Sequence, residues 1–167
     1  MIDMSGSTPP GSSTPRVTLD QLAGRLTTRM VINEVICVAL VALSMFVVWY
    51  GQPGGPAGSA VVLLSGAIVI ARAWNMPTRD LKPVPTDTST DPESAAKQLT
   101  ALANRMMKLM MIPTGVGLVA TLISWGWQPV FFGGLISIAG FTFFGPSRTR
   151  LANWRDKLEN AGGKTGL

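Results

Sequence analysis

Residues 107–145 read MKLMMIPTGVGLVATLISWGWQPVFFGGLISIAGFTFFG, and this stretch decides the fold. It holds two apolar segments joined by the short uncharged turn GWQP at 126–129, and no charged residue stands between Lys108 and Arg148. A helix needs about 20 apolar residues to cross a bilayer. In lipid, helices satisfy their own backbone hydrogen bonds. The stretch therefore predicts a transmembrane helical hairpin.

The first half of the chain repeats this arrangement, with a Gly- and Pro-rich uncharged turn between two apolar segments. Residues 29–53 also align without a gap to residues 105–129, which indicates a parallel internal repeat. We therefore predict an all-α integral membrane protein with four transmembrane helices arranged as two hairpins. The expected helices cover residues 30–50, 58–74, 107–127 and 129–145.

The composition restricts the function. Of the 167 residues, 47% are hydrophobic and 14% are charged, against about a quarter charged in ordinary soluble domains. The chain has no histidine and one cysteine, which excludes an intrachain disulfide, a zinc site built from His and Cys, and histidine-dependent catalysis. We expect a non-enzymatic protein with no cofactor, no metal and no nucleic-acid partner.

The basic residues predict the orientation. All 14 Lys and Arg residues precede the first predicted helix, lie around the connection between the second and third, or follow the fourth. Neither hairpin turn contains one, so the positive-inside rule places both termini in the cytoplasm. The polar N-terminus lacks the apolar core of a signal peptide. We expect a multi-pass protein of the bacterial cytoplasmic membrane, and the net charge of +5 favours contact with anionic lipids.

The polar segments divide the chain into units. Residues 1–17 are rich in Ser, Thr and Pro and predict a disordered cytoplasmic segment. Residues 76–91 predict a cytoplasmic linker, and residues 147–167 predict a basic amphipathic tail. Between them lie two units, 18–75 and 92–146, each expected to contain an amphipathic segment followed by a transmembrane hairpin.

Three amphipathic stripes lie outside the predicted spans. The first follows a capping-box pair, Thr18 and Gln21, and fits either an interfacial helix on the membrane or the first turns of the first span. The second is expected to continue unbroken into the third span, and the third predicts a short helix on the cytoplasmic membrane surface. The stripes consist of Leu19, Leu22, Leu26 and Met30; of Ala95, Leu99, Leu102 and Met106; and of Leu151, Trp154 and Leu158.

Two charges, Glu34 and Lys108, lie inside the starts of predicted membrane helices. Because a charge in the bilayer is costly, such residues are candidates for function. The shallow position of Glu34, about one turn past Arg29, favours a snorkelling or paired carboxylate over a proton or cation site.

Other residues predict packing and placement of the helices. Ala67 with Ala71, and Gly133 with Ser137, are small residues four apart that let helices approach closely. Pro113 predicts a kink in the third span. A copper(I) site at the methionines of 106–111 is disfavoured, since methionine commonly fills helix contacts. The predicted interfacial anchors are Trp49, Tyr50, Trp74, Trp125, Trp127 and Trp154.

Three functions fit these features. The favoured one is an accessory or assembly subunit of a larger membrane complex of transporter, ATP synthase or respiratory type. The second is a pore former of the phage holin type, for which a homo-oligomer would be expected. The third is a small transporter that uses Glu34, which its shallow position makes the least favoured.

The layout resembles ATP synthase protein I, a small four-helix membrane protein associated with assembly of the rotary ATP synthase. The resemblance covers residues 29–146 and rests on the two hairpins, the motifs GSA at 58–60 and SGA at 65–67, and the charged entry NRMMK at 104–108. The acidic residue that the family usually has before this lysine is missing here, so no ion-related role carries over. The resemblance implies an assembly factor.

Overall fold

A computed structural model gives the structure of the protein and describes residues 18–48, 56–83, 92–124, 126–160, 164, 165 and 167. The predicted all-α class is confirmed, because the described residues form helices and no strand. Predictions for residues 1–17, the anchors Trp49, Tyr50 and Trp125, and the second half of the linker fall outside them. The helices are α1 (Leu19–Val48), α2 (Pro56–Asp80), α3 (Pro92–Ser124), α4 (Gln128–Phe144) and α5 (Arg148–Glu159).

Three helices, α1 to α3, are long and apolar enough to cross a membrane. The number rises to four if α4 and α5, which meet at an angle of 59°, count as one bent span. The bend falls at Pro146, and Ser147 caps α5 by accepting a hydrogen bond from the backbone N–H of Arg150 at 3.4 Å. Since α4 is apolar and α5 is basic, the break coincides with the change in polarity.

The helices alternate in direction. Arg29 of α1 reaches Asn104 of α3, and further along Cys37 reaches Thr114, so α1 and α3 run parallel. The start of α2 lies beside the end of α3, so these two run antiparallel. We call the end that holds the starts of α1 and α3, together with α5, the basic end, since it holds the Lys and Arg residues that the structure describes.

The packing does not follow the order of the chain. Helices α3 and α4 form the central pair, α1 packs on α4 and α3, and α2 packs on α3 and α4. Within the described ranges, α1 and α2 do not form a packed pair. The two-hairpin layout is therefore not confirmed. The packing of the described residues also does not confirm a twofold relation between the two halves, because α1 and α2 do not pack as α3 and α4 do.

The amphipathic stripes pack on one another at the basic end. Leu22 and Leu26 of α1, Leu99 of α3, and Leu151 and Leu158 of α5 all belong to one buried core. Helix α1 is continuous from its capping box, in which the backbone N–H of Gln21 donates to Thr18 at 3.3 Å. The stripe on α1 thus forms the first turns of a long helix, as one of the two interpretations held.

Helix α5 departs from the sequence-based expectation. Its apolar face is covered by α1 and α3, and Trp154 is only 4% exposed, so this face does not lie on a membrane surface. Asp20 pairs with Arg148 at 2.9 Å and ties the start of α1 to α5. The expectation of a membrane-surface helix was wrong because the apolar stripes of α1, α3 and α5 lie at the same end and bury one another. The sequence of one stripe does not show what covers it.

The predicted linker begins at residue 76, but α2 continues through Pro77 to Asp80. Asp80 accepts a 3.3 Å hydrogen bond from Arg105 of α3. Leu81 is buried just beyond the helix. The basic end therefore includes part of the segment that composition alone assigns to a linker.

The C-terminal tail is held by Glu159. Its carboxylate accepts hydrogen bonds from the hydroxyl of Thr165 at 2.6 Å and from its backbone N–H at 3.0 Å. These two bonds lower the pKa of Glu159 from its ordinary value of 4.5. Because folding lowers this pKa, the contact stabilises the folded state at pH values above 4.5. This stabilisation is lost as the pH falls through the lowered pKa.

We expect the amide resonance of Thr165 to titrate with a midpoint below pH 4.5, since protonation of Glu159 removes the charged acceptor. NMR spectra recorded between pH 7 and pH 2 measure this midpoint. In Glu159→Gln the acid-dependent shift should vanish. A midpoint at or above 4.5 would contradict the hydrogen-bonded arrangement.

Candidate functional site

The backbones of α3 and α4 touch at two places. At Gly133, an added Cβ would collide with the carbonyl group of Pro113 and lie 3.2 Å from the Cα of Thr114. At Gly117, an added Cβ would collide with the backbone of Pro129. Such contacts are possible only where a side chain is missing, and they give the close packing that helix association in lipid requires. Helix α3 continues through Pro113 as one helix.

A buried polar cluster lies beside this contact, where α1, α3 and α4 meet. The hydroxyl of Thr114 lies 2.7 Å from Ser137 Oγ and 3.3 Å from the carbonyl oxygen of Gly133. Cys37 Sγ lies 3.6 Å from Thr114 Oγ1 and 3.6 Å from Met111 Sδ. The cluster joins three helices by hydrogen bonds. The sequence did not indicate it, because its members share no common spacing.

Of the two predicted small-residue pairs, one is buried in a helix contact and the other is exposed. Gly133 and Ser137 are buried against α3, whereas Ala67 and Ala71 are exposed. The packing face of α2 lies one residue away, and its buried residues are Val62, Gly66, Val69 and Ala73. At Gly66 an added Cβ would approach Ile136 of α4 to 2.9 Å, which identifies the residue that permits this contact.

An open apolar groove runs between α2 and α3, in the part of the bundle that lacks charged side chains. Its volume is about 690 Å³. Gly115 lies in it, and nothing would come within 4 Å of a Cβ added there. We call this the α2–α3 groove. Its lining residues are Ala57, Gly58, Val61, Ile112, Gly115, Val116, Val119, Ala120, Ile123 and Ser124.

A second cleft lies between α1 and α3 and contains the predicted candidate Lys108. Its volume is about 610 Å³, and both polar and apolar side chains line it. Glu34 is half-buried and does not line it, and no Lys or Arg nitrogen in the described ranges lies within 4.0 Å of its carboxylate. We call this the basic cleft. Its lining residues are Arg29, Ile32, Asn33, Asn104, Met107, Lys108 and Met111.

Aromatic residues mark both ends of the bundle. At the basic end, Trp74 is exposed and meets Phe144 edge to face at 6.2 Å, and the guanidinium of Arg150 lies 5.7 Å from the centre of the same ring. At the other end, Trp127 meets Phe131 edge to face at 5.8 Å. Trp74 and Trp127 thus occupy positions suited to interfacial anchors. Trp154, by contrast, belongs to the core.

The methionines pack inside the protein. Met106, Met107 and Met110 are buried in the core, and Met110 fills the space beside Gly140. Among the residues that the structure describes, no group of three or more His, Cys, Asp or Glu side chains is placed to hold a metal ion. The methionines therefore have a packing explanation.

Comparison of the chain with protein-family models, with curated proteins and with solved structures found no match.

Proposed function

We propose that the protein is an accessory or assembly subunit of a larger complex in the bacterial cytoplasmic membrane, with both termini in the cytoplasm. A complex of transporter, ATP synthase or respiratory type would suit it. In this proposal the α2–α3 groove receives a transmembrane helix of the partner. The observation that carries the proposal is the open groove with Gly115 in it, inside a part of the bundle without charge.

The shape of the groove supports a helical occupant. On α3 it extends from Ile112 to Ser124, about 18 Å along the helix axis at 1.5 Å per residue. Gly115 and Ala120 reduce the bulk of one wall, and Ala57 and Gly58 reduce that of the other. In lipid, helices associate through close packing at small residues, because the hydrophobic effect does not drive them together. Among the described residues, the groove offers such a surface with no helix of this chain packed in it.

The basic end supports the same role. Helix α5 is fixed there by its buried face, and its outer face carries Arg155, Asp156 and Lys157, of which the last two are exposed. A rigid, charged surface next to the membrane suits contact with a soluble part of a large complex. The resemblance to ATP synthase protein I names one assembly of this kind.

A pair of neighbouring residues tests the proposal. Leu122 and Ile123 are each 76% exposed, but only Ile123 lines the groove. A photoreactive residue at 123 should form one discrete heavier adduct in native membranes, and the same residue at 122 should give at least about fivefold less, since side chains one residue apart point in different directions. Immunoblotting measures the yield, and mass spectrometry identifies the adduct.

The two alternative functions have their own outcomes. An adduct at 123 with twice the mass of the chain would indicate a second copy in the groove, as for a holin-type pore former. Equal yields at 122 and 123, or none at either, would count against a specific groove partner. A transporter that uses Glu34 would instead lose its activity in Glu34→Gln while the adduct at 123 remained unchanged.

A further inference from the structure

We propose that the basic cleft binds the phosphate headgroup of one anionic glycerophospholipid, with an acyl chain over the apolar side of the cleft. The inference rests on the membrane placement proposed above, but it does not depend on a partner protein. It assigns a ligand class and a site to residues of α1 and α3 that lie nearer the basic end than the α2–α3 groove.

Two cations face the cleft from different helices. Arg29 of α1 and Lys108 of α3 both line it, and within the described ranges neither has a carboxylate oxygen within 4.0 Å. Arg29 donates to the side-chain oxygen of Asn104 at 3.5 Å, which directs the guanidinium across the cleft. The amide of Asn33 adds a further donor. Lys, Arg and amide donors together suit a phosphate, which accepts several hydrogen bonds.

The two cations of the cleft each have an apolar lining residue one turn deeper. Ile32 follows Arg29 by three residues, and Met111 follows Lys108 by three, so both apolar residues lie about 4.5 Å deeper into the uncharged part of the bundle. The two charged groups therefore stand nearer the basic end than Ile32 and Met111, and the amide of Asn33 lies at about the level of Ile32. A free phosphate ion would leave the apolar side uncovered, whereas a phospholipid covers both sides.

The position of Lys108 along α3 places the cleft at the depth where lipid headgroups lie. Lys108 precedes Ser124, the last residue of α3, by 16 residues, which is about 24 Å along the helix. The hydrocarbon core of a bilayer is about 30 Å thick. If the end of α3 lies near one membrane surface, Lys108 lies near the opposite boundary between hydrocarbon and headgroups. Basic pockets between helices at this boundary bind anionic headgroups.

The experiment uses the full-length protein, purified in mild detergent and analysed by native mass spectrometry with added phosphatidylglycerol or phosphatidylcholine. The double variant Arg29→Gln/Lys108→Gln should weaken phosphatidylglycerol binding about ten- to thirtyfold. The matched control Arg72→Gln/Arg79→Gln removes the same charge from a cleft on α2 that also contains Asp80. This control variant should bind phosphatidylglycerol as strongly as the unmodified protein does. Lys108→Arg should also retain the binding.

Several results would overturn the site. Equal losses in the two double variants would indicate a diffuse charge effect. Equal binding of phosphatidylcholine would remove the need for a cationic site, and binding of inorganic phosphate as strong as that of the lipid would contradict a lipid occupant. If the double variant does not fold, the single variant Lys108→Gln tests the site, since Lys108 is exposed and its replacement should leave the fold intact. Lys108→Gln should weaken phosphatidylglycerol binding about fivefold. The crosslink at residue 123 should be unchanged in every variant. A negative result for the lipid site therefore leaves the proposed function untouched, and the reverse also holds.

Discussion

Gly133→Ala should lower the free energy of unfolding by about 2–3 kcal/mol, the upper part of the usual range for overpacking. The added methyl group would meet the backbone of Pro113 and Thr114, which cannot move aside as a side chain can. Separating α3 from α4 would also stretch the 2.7 Å contact between Thr114 and Ser137. Unfolding of the purified protein in mixed micelles, with increasing SDS, measures the difference.

The control for this prediction is Gly115→Ala. Gly115 lies on α3 only two residues from Pro113, but nothing would come within 4 Å of its new Cβ. The variant should remain within about 0.5 kcal/mol of the unmodified protein, as is usual for exposed positions. Equal destabilisation by the two substitutions would show that the effect comes from losing a glycine and not from the α3–α4 contact.

Trp154→Ala should destabilise the basic end by about 3–5 kcal/mol, the usual cost of removing a large buried aromatic side chain. Trp154 is 4% exposed and lies between Leu151 and Leu158, which are fully buried. Once the indole is removed, the 12-residue α5 has too little apolar contact to stay docked. Limited proteolysis should then cut within α5 while α1 to α4 remain protected.

Asn153→Ala is the matched control, because Asn153 is the exposed neighbour of Trp154 on the same helix. Its digestion pattern should equal that of the unmodified protein. If α5 stays protected in Trp154→Ala, the helix is held by the lipid surface, and the sequence-based expectation of a membrane-surface helix would be restored.

The sequence predicts the helices well, because their signals are local. Absence of charge beyond Lys108 marks an apolar helix, and the spacing of Thr18 and Gln21 marks a capping box. The basic residues share one end because the helices alternate in direction. The apolar helix and the capping box need only a short window of sequence and the geometry of one helix, and the shared basic end needs in addition only the order of the helices along the chain.

The contacts between helices need information that no single window holds. Periodicity shows that α5 has an apolar face but not whether lipid or protein covers it. On α2, Gly66 and Ala67 are equally small, and only the position of Ile136 decides which one is buried. The basic cleft likewise forms because Arg29 and Lys108, on separate helices, arrive at the same height.

The central position of α4 sets an order on biosynthesis. As the chain leaves the ribosome, α1 and α2 emerge first, and within the described residues they do not form a packed pair. Their packing partners are α3 and α4, and the backbone at Gly133 and Gly134, which contacts α3 and α1, is made after both α1 and α2. Helix α2 can pack on α3 before α4 is made, but α1 and α2 are joined in one bundle only when α4 arrives, and a ribosome that stalls before residue 128 leaves them without that surface.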